Sequence, residues 1–490
     1  MTGRAKAAIA VLAALLTACS TQHSAPRADL GGDLADQVTV EGVYSHLVAL
    51  QKIADEHDGT RADGTPGYQA SVDYVAKALR DKGFDVQTPE FQRLSGSGGG
   101  KPALTVGRRT FRVDQASLLL TTAPGGVKAR TLRPRAAAGC AAADYTGVAI
   151  KRAIAVVDDS GCSIVAKHDA AKAAGAVGVL VVSQSTPTRP VAAPAGLFTS
   201  GYYQSMTIPV GVIDPTADAA LRRTDDPVTL VLDNKPVMTT SRSVIAQTST
   251  GNADNVVVIG AHLDSTGDGP GMNDNGSGVA AVLETAVQLG PKPEADNAVR
   301  FAFWGGGETS ADGSAAYLRA LNPDELTDIA LYLDLDVIGS PNAGYFTLDG
   351  DQSSQTAANV RPLPDGSAGI ERMLAARLYE HGVRPADMPL TRGTDYASFI
   401  AAGVPVGGLT TGTSQLKSDV QARIWGGRAG VAFDPDYHRR SDTIDNIDRK
   451  ALDIMASTAA DAVGSYAQSL EGDGGANGVP ARDQRTRQKP

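Results

Sequence analysis

Five residues carry the chemistry open to this chain. His262 follows the apolar run "NVVVIGA", Asp274 stands in "GPGMNDNGSG", and Glu308 closes "RFAFWGGGE". Asp336 ends "IALYLDLD", and His438 lies in "YHRRSDT". Imidazole nitrogens and carboxylate oxygens are the donors that zinc takes, and two histidines with three carboxylates have the composition of a two-metal site. One carboxylate of such a site can bridge ions about 3.5–4 Å apart, and a water between them loses a proton near neutral pH. Asp264, two residues beyond His262, is placed to accept from the other ring N–H and fix the tautomer. The remaining histidines, His23, His46, His57, His168 and His381, have no such company.

The elements around these residues suit that reading. From 255 to 465, near-continuous apolar strands ("NVVVIGAH", "VRFAFWG", "IALYLDLD", "GVPVGGLT") alternate with helical stretches such as "SGVAAVLETAVQLG". That alternation predicts an α/β fold, a mostly parallel mixed sheet covered by helices on both faces. Ligands in such sheets gather beyond the carboxyl ends of the strands; His262, Asp274, Glu308 and Asp336 sit there or just before a helix, and His438 is added late in the chain. Upstream, Val43, Leu47, Leu50 and Ala54 have helical spacing, as do Tyr68, Val72, Val75 and Leu79, with Gly83 as a stop. "FDVQTPEFQ" reads as a strand and "LSGSGGGKP" as a turn or loop. Between about 110 and 240 the texture shifts to short β-branched runs around an alanine-rich helix, a small α/β insert.

The N-terminus is a targeting segment. Arg4 and Lys6 precede an apolar run from Ala7 to Leu16, too short to span a bilayer stably, and Leu16-Thr17-Ala18-Cys19 resembles a bacterial lipobox. The expectation is cleavage before Cys19, lipidation of its thiol, and an exported protein held at the outer face of the cytoplasmic membrane or in the cell envelope by its lipid alone. Cys140 and Cys162 then form an even pair in an oxidising compartment, so a disulfide is expected. Across 490 residues, 42% apolar and 20% charged content indicate a globular protein of two or three domains. A net charge of −9 gives no basic footprint for nucleic acid.

"AHLDS", "GMNDNGSG", "RFAFWGGGE", "LDLDVIGSPN" and "PDYHRRSDTIDN", in that order and spacing, resemble the clan MH di-zinc aminopeptidases, the aminopeptidase Y family (peptidase family twenty-eight). "LQKIADEHDGTRADGTPGYQASVDYVAKAL" fits the same family, so the likeness spans residues 40 to 465. The insert resembles the protease-associated (PA) domain. The expected layout is a signal peptide (1–18), a tether (19–35), a zinc aminopeptidase domain (36–110 and 240–468), a PA insert (111–239) and a disordered tail (469–490). The resemblance implies two zinc ions: His262 and Asp336 on one, Glu308 and His438 on the other, Asp274 between them. It also implies peptide substrates with a free N-terminus, Tyr437 as the group facing the developing oxyanion, and "GTDYASFIAAGVPVGGLTTG" along the substrate pocket.

One position departs from the family. Relatives carry two adjacent acids after tryptophan-glycine, a general base and then a zinc ligand. With Trp304, Gly305, Gly313 and Ser314 in register, Glu308 falls on the ligand and Gly307 on the base. A one-residue shift would make Glu308 the base and leave Thr309 as a poor ligand. A general base contributes about 10²–10⁴-fold, so Gly307→Glu is expected to raise kcat. Asp334, on the same strand face as Asp336, and Asp312 are the acids nearest in sequence that could substitute. Two functions stay open: an impaired zinc aminopeptidase, and a non-catalytic peptide- or protein-binding lipoprotein on the same fold.

Overall fold

The computed structural model describes residues 29–184, 197–198, 202–354, 362–390, 394–471 and 475. Cys19 with its signal segment, and the tail beyond 475, lie outside the described residues.

Eight strands build the main sheet: β1 (Val86–Gln87), β2 (Val244–Gln247), β3 (Asn252–His262), β4 (Asn297–Trp304), β5 (Ile329–Leu335), β6 (Phe346–Leu348), β7 (Ala386–Met388) and β8 (Val406–Thr410). Their order is β1-β2-β4-β3-β5-β8-β6-β7. The central run β4-β3-β5-β8 is parallel, as is β6-β7, while β1-β2, β2-β4 and β8-β6 are antiparallel. The central strands are buried on both faces, which is why they read as continuous apolar runs. Val257, Ile259 and Ala261 of β3 face one core with α2 (Val40–Glu56), α3 (Pro66–Asp81), α4 (Gly278–Leu289) and α5 (Arg449–Gln468). Val256 and Val258 face a second core with Trp304, Tyr332, Tyr396 and Phe399. Here Tyr332 stacks on Phe399 with ring centroids 3.9 Å apart.

Two expectations need correction. Residues 20–35 read as a polar tether, yet α1 (Leu30–Gln37) begins inside it. Asp29 caps α1, accepting from the Gly32 N–H, and Leu34 is buried in the core that α5 lines. An amphipathic helix of eight residues, rich in glycine and aspartate, has a composition close to that of a linker, and only packing decides it. "LSGSG" was expected in a turn but lies within a strand, Glu90–Gly98, paired antiparallel with Lys235–Arg242 in a two-stranded ribbon.

Beyond that ribbon lie two small sheets. One orders Asp114–Gln115, Val210–Ile213, Gly178–Val182, Ile154–Asp158 and Thr131–Leu132, with the helix Ile164–Ala173 against it. The other orders Arg109–Arg112, Ala103–Val106, Val228–Val231 and Val127–Ala129. The hairpin 103–112 therefore pairs with the strand Val228–Val231 and not with the main sheet. Cys140 and Cys162 are joined by a disulfide within this region. Among the described residues, no helix is long and apolar enough to cross a membrane.

Candidate metal centre

At the carboxyl edge of the parallel strands the five candidates converge. His262 is the last residue of β3, and Asp336 directly follows β5. Asp274 lies in the turn Met272–Ser277 that leads into α4, and Glu308 in the short helical turn Gly307–Ser310 after β4. His438 comes from a late loop and adopts a left-handed φ of 59°. Ligand-type atoms of His262, Asp274 and Asp336 all lie within 4.8 Å of one another, and so do those of Asp274, Glu308 and His438. Asp274 belongs to both groups. Its Oδ1 is 3.4 Å from His262 Nε2, and its Oδ2 is 3.1 Å from His438 Nε2. His262 Nε2 is also 3.4 Å from Asp336 Oδ1, and His438 Nε2 is 3.2 Å from Glu308 Oε2.

Three oxygens here, Asp274 Oδ2, Glu308 Oε1 and Asp336 Oδ1, are buried without a well-aligned hydrogen bond. Buried carboxylate oxygens left this way are costly unless a cation or proton satisfies them. The residues therefore fit zinc on chemical grounds: imidazole and carboxylate donors, carboxylate oxygens buried without a well-aligned hydrogen bond, and Asp274 with one oxygen near each histidine.

Titration reflects the same crowding. Burial alone would lower the His262 imidazole, but Asp274 and Asp336 outweigh it and raise it well above its usual range. For His438, too, burial is outweighed by Asp274 and Glu308, and the ring rises to about 10. Burial pushes Asp274 upward, yet the two imidazoles hold it at about 2. Glu308 goes the other way, to about 7, through burial and the neighbouring Asp274 carboxylate. A cation entering this space replaces protons on the rings.

Asp264 meets the His262 ring through its carbonyl and uses its carboxylate elsewhere. His262 Nδ1 lies 3.1 Å from the Asp264 backbone carbonyl, which fixes the tautomer, while the nearest carboxylate oxygen is 3.8 Å away. The Asp264 carboxylate instead accepts from the Gly307 N–H (2.8 Å) and the Glu308 N–H (3.2 Å). It thus anchors the turn that presents Glu308.

Several supporting residues escaped the sequence reading. Asp442, four residues past His438, accepts from the Asn273 and Asp274 N–H groups at 2.7 and 3.0 Å. The two asparagines flanking Asp274 tie its turn to the segment after β5. Asn275 Nδ2 donates to the Leu335 carbonyl, and its Oδ1 accepts from Val337 N–H, so that it grips both neighbours of Asp336. Asn273 accepts from Gly339 N–H and donates to Asp434. The "NDN" triplet was the available signal: polar side chains on both sides of a buried ligand need partners of their own.

Gly307 is the closest approach in the site. A Cβ built there would lie 2.5 Å from His262 Cγ and nearer still to His262 Cβ. Glycine is what lets the turn pass against the back of the imidazole, and a side chain at 307 would have to displace His262. Neither acid offered as a substitute joins the two ligand groups. Asp334 Oδ1 accepts from the buried Tyr332 hydroxyl at 2.8 Å, and burial with Asp336 and Asp395 holds its carboxyl well above the usual range. Asp312 is buried in the first turn of the helix Asp312–Ala320. Tyr437 stacks on the His438 ring, with centroids 3.9 Å apart. Burial and the carboxylates of Asp274, Asp336, Glu308 and Asp434 raise its hydroxyl far above the ordinary phenol range, so it is a neutral O–H donor.

Comparison with known proteins places the chain in a family. The model of peptidase family M28 matches residues 243–463, and that of the PA domain matches 127–221. A protein of Mycobacterium tuberculosis described as "Probable lipoprotein aminopeptidase LpqL" is 44% identical over 492 residues, covering 98% of this chain and 96% of the relative. An aminopeptidase of Pseudomonas aeruginosa is 38% identical over 434 residues, covering 85% and 79%. Among solved structures, the aminopeptidase from Aneurinibacillus sp. strain AM-1 superposes with a TM-score of 0.61 at 23% identity, over 91% of this chain and 97% of that one. The zinc aminopeptidase BSAP from Bacillus subtilis gives 0.55 at 23%, over 89% and 96%. Those two share the fold, and the sequence relatives share more than that: the chain belongs to peptidase family M28.

Proposed function

We propose that the protein is an exported, lipid-anchored zinc aminopeptidase that removes N-terminal residues from unblocked peptides. The observation that carries this reading is the pair of donor groups sharing Asp274, whose three carboxylates each keep a buried oxygen without a well-aligned hydrogen bond. The names of its sequence relatives support the aminopeptidase activity, and that of the mycobacterial relative supports a lipoprotein. The "LTAC" motif supports lipidation at Cys19. We further propose a catalytic unit interrupted by a PA insert, with the exchange between them at the ribbon 90–98/235–242.

His262 with Asp336, and Glu308 with His438, would hold two zinc ions bridged by Asp274. Bound there, the ions would polarise the scissile carbonyl and acidify a water. The chain's own residues do the rest. Asp264 keeps His262 in one tautomer through its carbonyl and holds Glu308 in place through its carboxylate. The Tyr437 hydroxyl, kept protonated, donates to the oxygen on which charge develops. Gly307 brings no carboxylate to the family's base position, and a missing base costs about 10²–10⁴ in rate. The enzyme of this reading is therefore slow.

Gly307 also supports a second reading, a non-catalytic peptide-binding lipoprotein, because no side chain fits there without moving His262. Zinc-loaded protein incubated with unblocked peptides separates the two. Release of free amino acids, stopped by chelation, supports the peptidase. Peptide bound with equal affinity with and without metal, and never cleaved, supports the binding protein.

A further inference from the structure

Arg61 lies some 200 residues before the metal ligands in sequence, and its side chain is fully buried. All three guanidinium nitrogens donate to backbone carbonyls: Nε to Pro270 at 2.9 Å, Nη1 to Leu263 at 2.6 Å, and Nη2 to Gly271 at 2.7 Å. Those carbonyls are the two ends of the loop that leaves β3 after His262 and returns to the turn bearing Asp274. The Arg61 backbone grips the same loop, its N–H donating to Ser265 Oγ at 3.0 Å, while Ala62 bridges Ser265. Ser265 Oγ also lies 3.0 Å from the Gly269 carbonyl, which it donates to. Burial draws the guanidinium down only to about 10, so it stays charged at neutral pH.

A buried charge is expensive and is kept where its hydrogen bonds are worth the cost. Among the described residues no carboxylate is hydrogen-bonded to this one, though the charges of Asp442, Asp264, Glu308 and Asp274 offset part of its burial. Its fork spans two strands of backbone that a shorter or single-pronged donor could not join.

We propose that Arg61 is a positioning residue for metal binding: by closing the loop 263–271 with three carbonyl contacts, it sets the separation of His262 and Asp274 before zinc arrives. The idea rests on the zinc-site reading above. A merely structural arginine would stabilise the fold and leave the affinity of the folded protein for zinc unchanged. A preorganising one changes that affinity, because the ligands of a loosened loop must be ordered at the moment of binding.

The test is zinc affinity of metal-free protein, measured by competition with a chromophoric chelator at a temperature where circular dichroism shows each variant folded. Arg61→Lys and Arg61→Met should both bind zinc about 10–100-fold more weakly than wild type, the range for losing a ligand's supporting partner. Ser265→Ala should lose less, in the same direction. Wild-type affinity in folded Arg61 variants would overturn the proposal, as would a lysine variant that binds like wild type while the methionine variant does not. That last result would assign the effect to charge and not to the fork. If neither Arg61 variant folds, Ser265→Ala decides, and unchanged affinity there overturns it. Wild-type protein that takes up no zinc would refute the zinc-site reading itself, and this proposal with it.

Discussion

Gly307 is where sequence and structure point in opposite directions, and a single substitution separates them. If Gly307 stands at the family's base position, as the resemblance implies, adding a carboxylate should help. In three dimensions a Cβ at 307 would lie 2.5 Å from His262 Cγ, where carbon atoms in contact stand about 3.5–4.0 Å apart. The shortfall is about 1 Å. The neighbour that must yield is not the tip of a flexible chain but the root of a ligand imidazole, held on one side by Trp304 across the β3–β4 pairing and on the other by the Asp264 carbonyl. A displacement of about 1 Å in a positioned group costs about 10²-fold, or roughly 3 kcal/mol of barrier. Gly307→Ala isolates that steric term, since it brings a Cβ and no acid. We predict that Gly307→Ala lowers kcat/KM about 10²-fold and weakens zinc binding, and that Gly307→Glu stays at or below wild type. The assay is release from an unblocked aminoacyl anilide, with zinc content measured on the same samples. A Gly307→Glu enzyme faster than wild type at full zinc occupancy would refute the reasoning, and so would a Gly307→Ala variant with unchanged rate and affinity.

Three further outcomes are expected. Tyr437→Phe should lower kcat by about 10²–10³-fold, the worth of one oxyanion donor, with zinc content unchanged; loss of zinc instead would make Tyr437 a support for His438. Opening the Cys140–Cys162 link, which closes 22 residues of sequence, by Cys140→Ala with Cys162→Ala should cost about 3 kcal/mol of stability, visible in denaturant unfolding, and leave zinc affinity intact. Glu371 is raised to about 7, by burial first and then by the carboxylates of Asp351, Asp387 and Asp349. A folded-state pKa above the unfolded value favours the protonated form, so its contribution to stability is complete below about 4.5 and is lost as pH rises through about 7. Glu371→Gln should therefore stabilise the protein at pH 8 by about 1 kcal/mol, after allowing for solvent screening, and hardly at all at pH 4. Equal melting temperatures for the two proteins at pH 8 would contradict this.

Much of the site could be read from the chain because its signals are local. Four of the five candidates sit at the end of an apolar strand or just ahead of a helix, and strand-end placement follows from hydrophobic pattern alone; His438, in a late loop, is the exception. The supports could not be read the same way. Arg61 contacts three carbonyls, and a carbonyl has no residue identity to pair with in sequence. Asp442 and Asn275 act through backbone N–H and C=O groups of segments 60 or more positions away. Asp264 does meet the second ring nitrogen of His262, but through its backbone carbonyl, and the proximity of two residues in sequence does not say which of its oxygens is used. The α1 helix escaped for the complementary reason: its burial is supplied by α5, more than 400 residues downstream.

The account turns on whether two metals and a turnover belong to the same protein. Titrating metal-free protein with zinc while following amino-acid release from an unblocked peptide measures both at once. We predict two equivalents of zinc per chain, with release that appears as the site fills and disappears on chelation. A chain that holds two zinc ions and releases nothing would contradict the peptidase reading and leave the binding protein in its place.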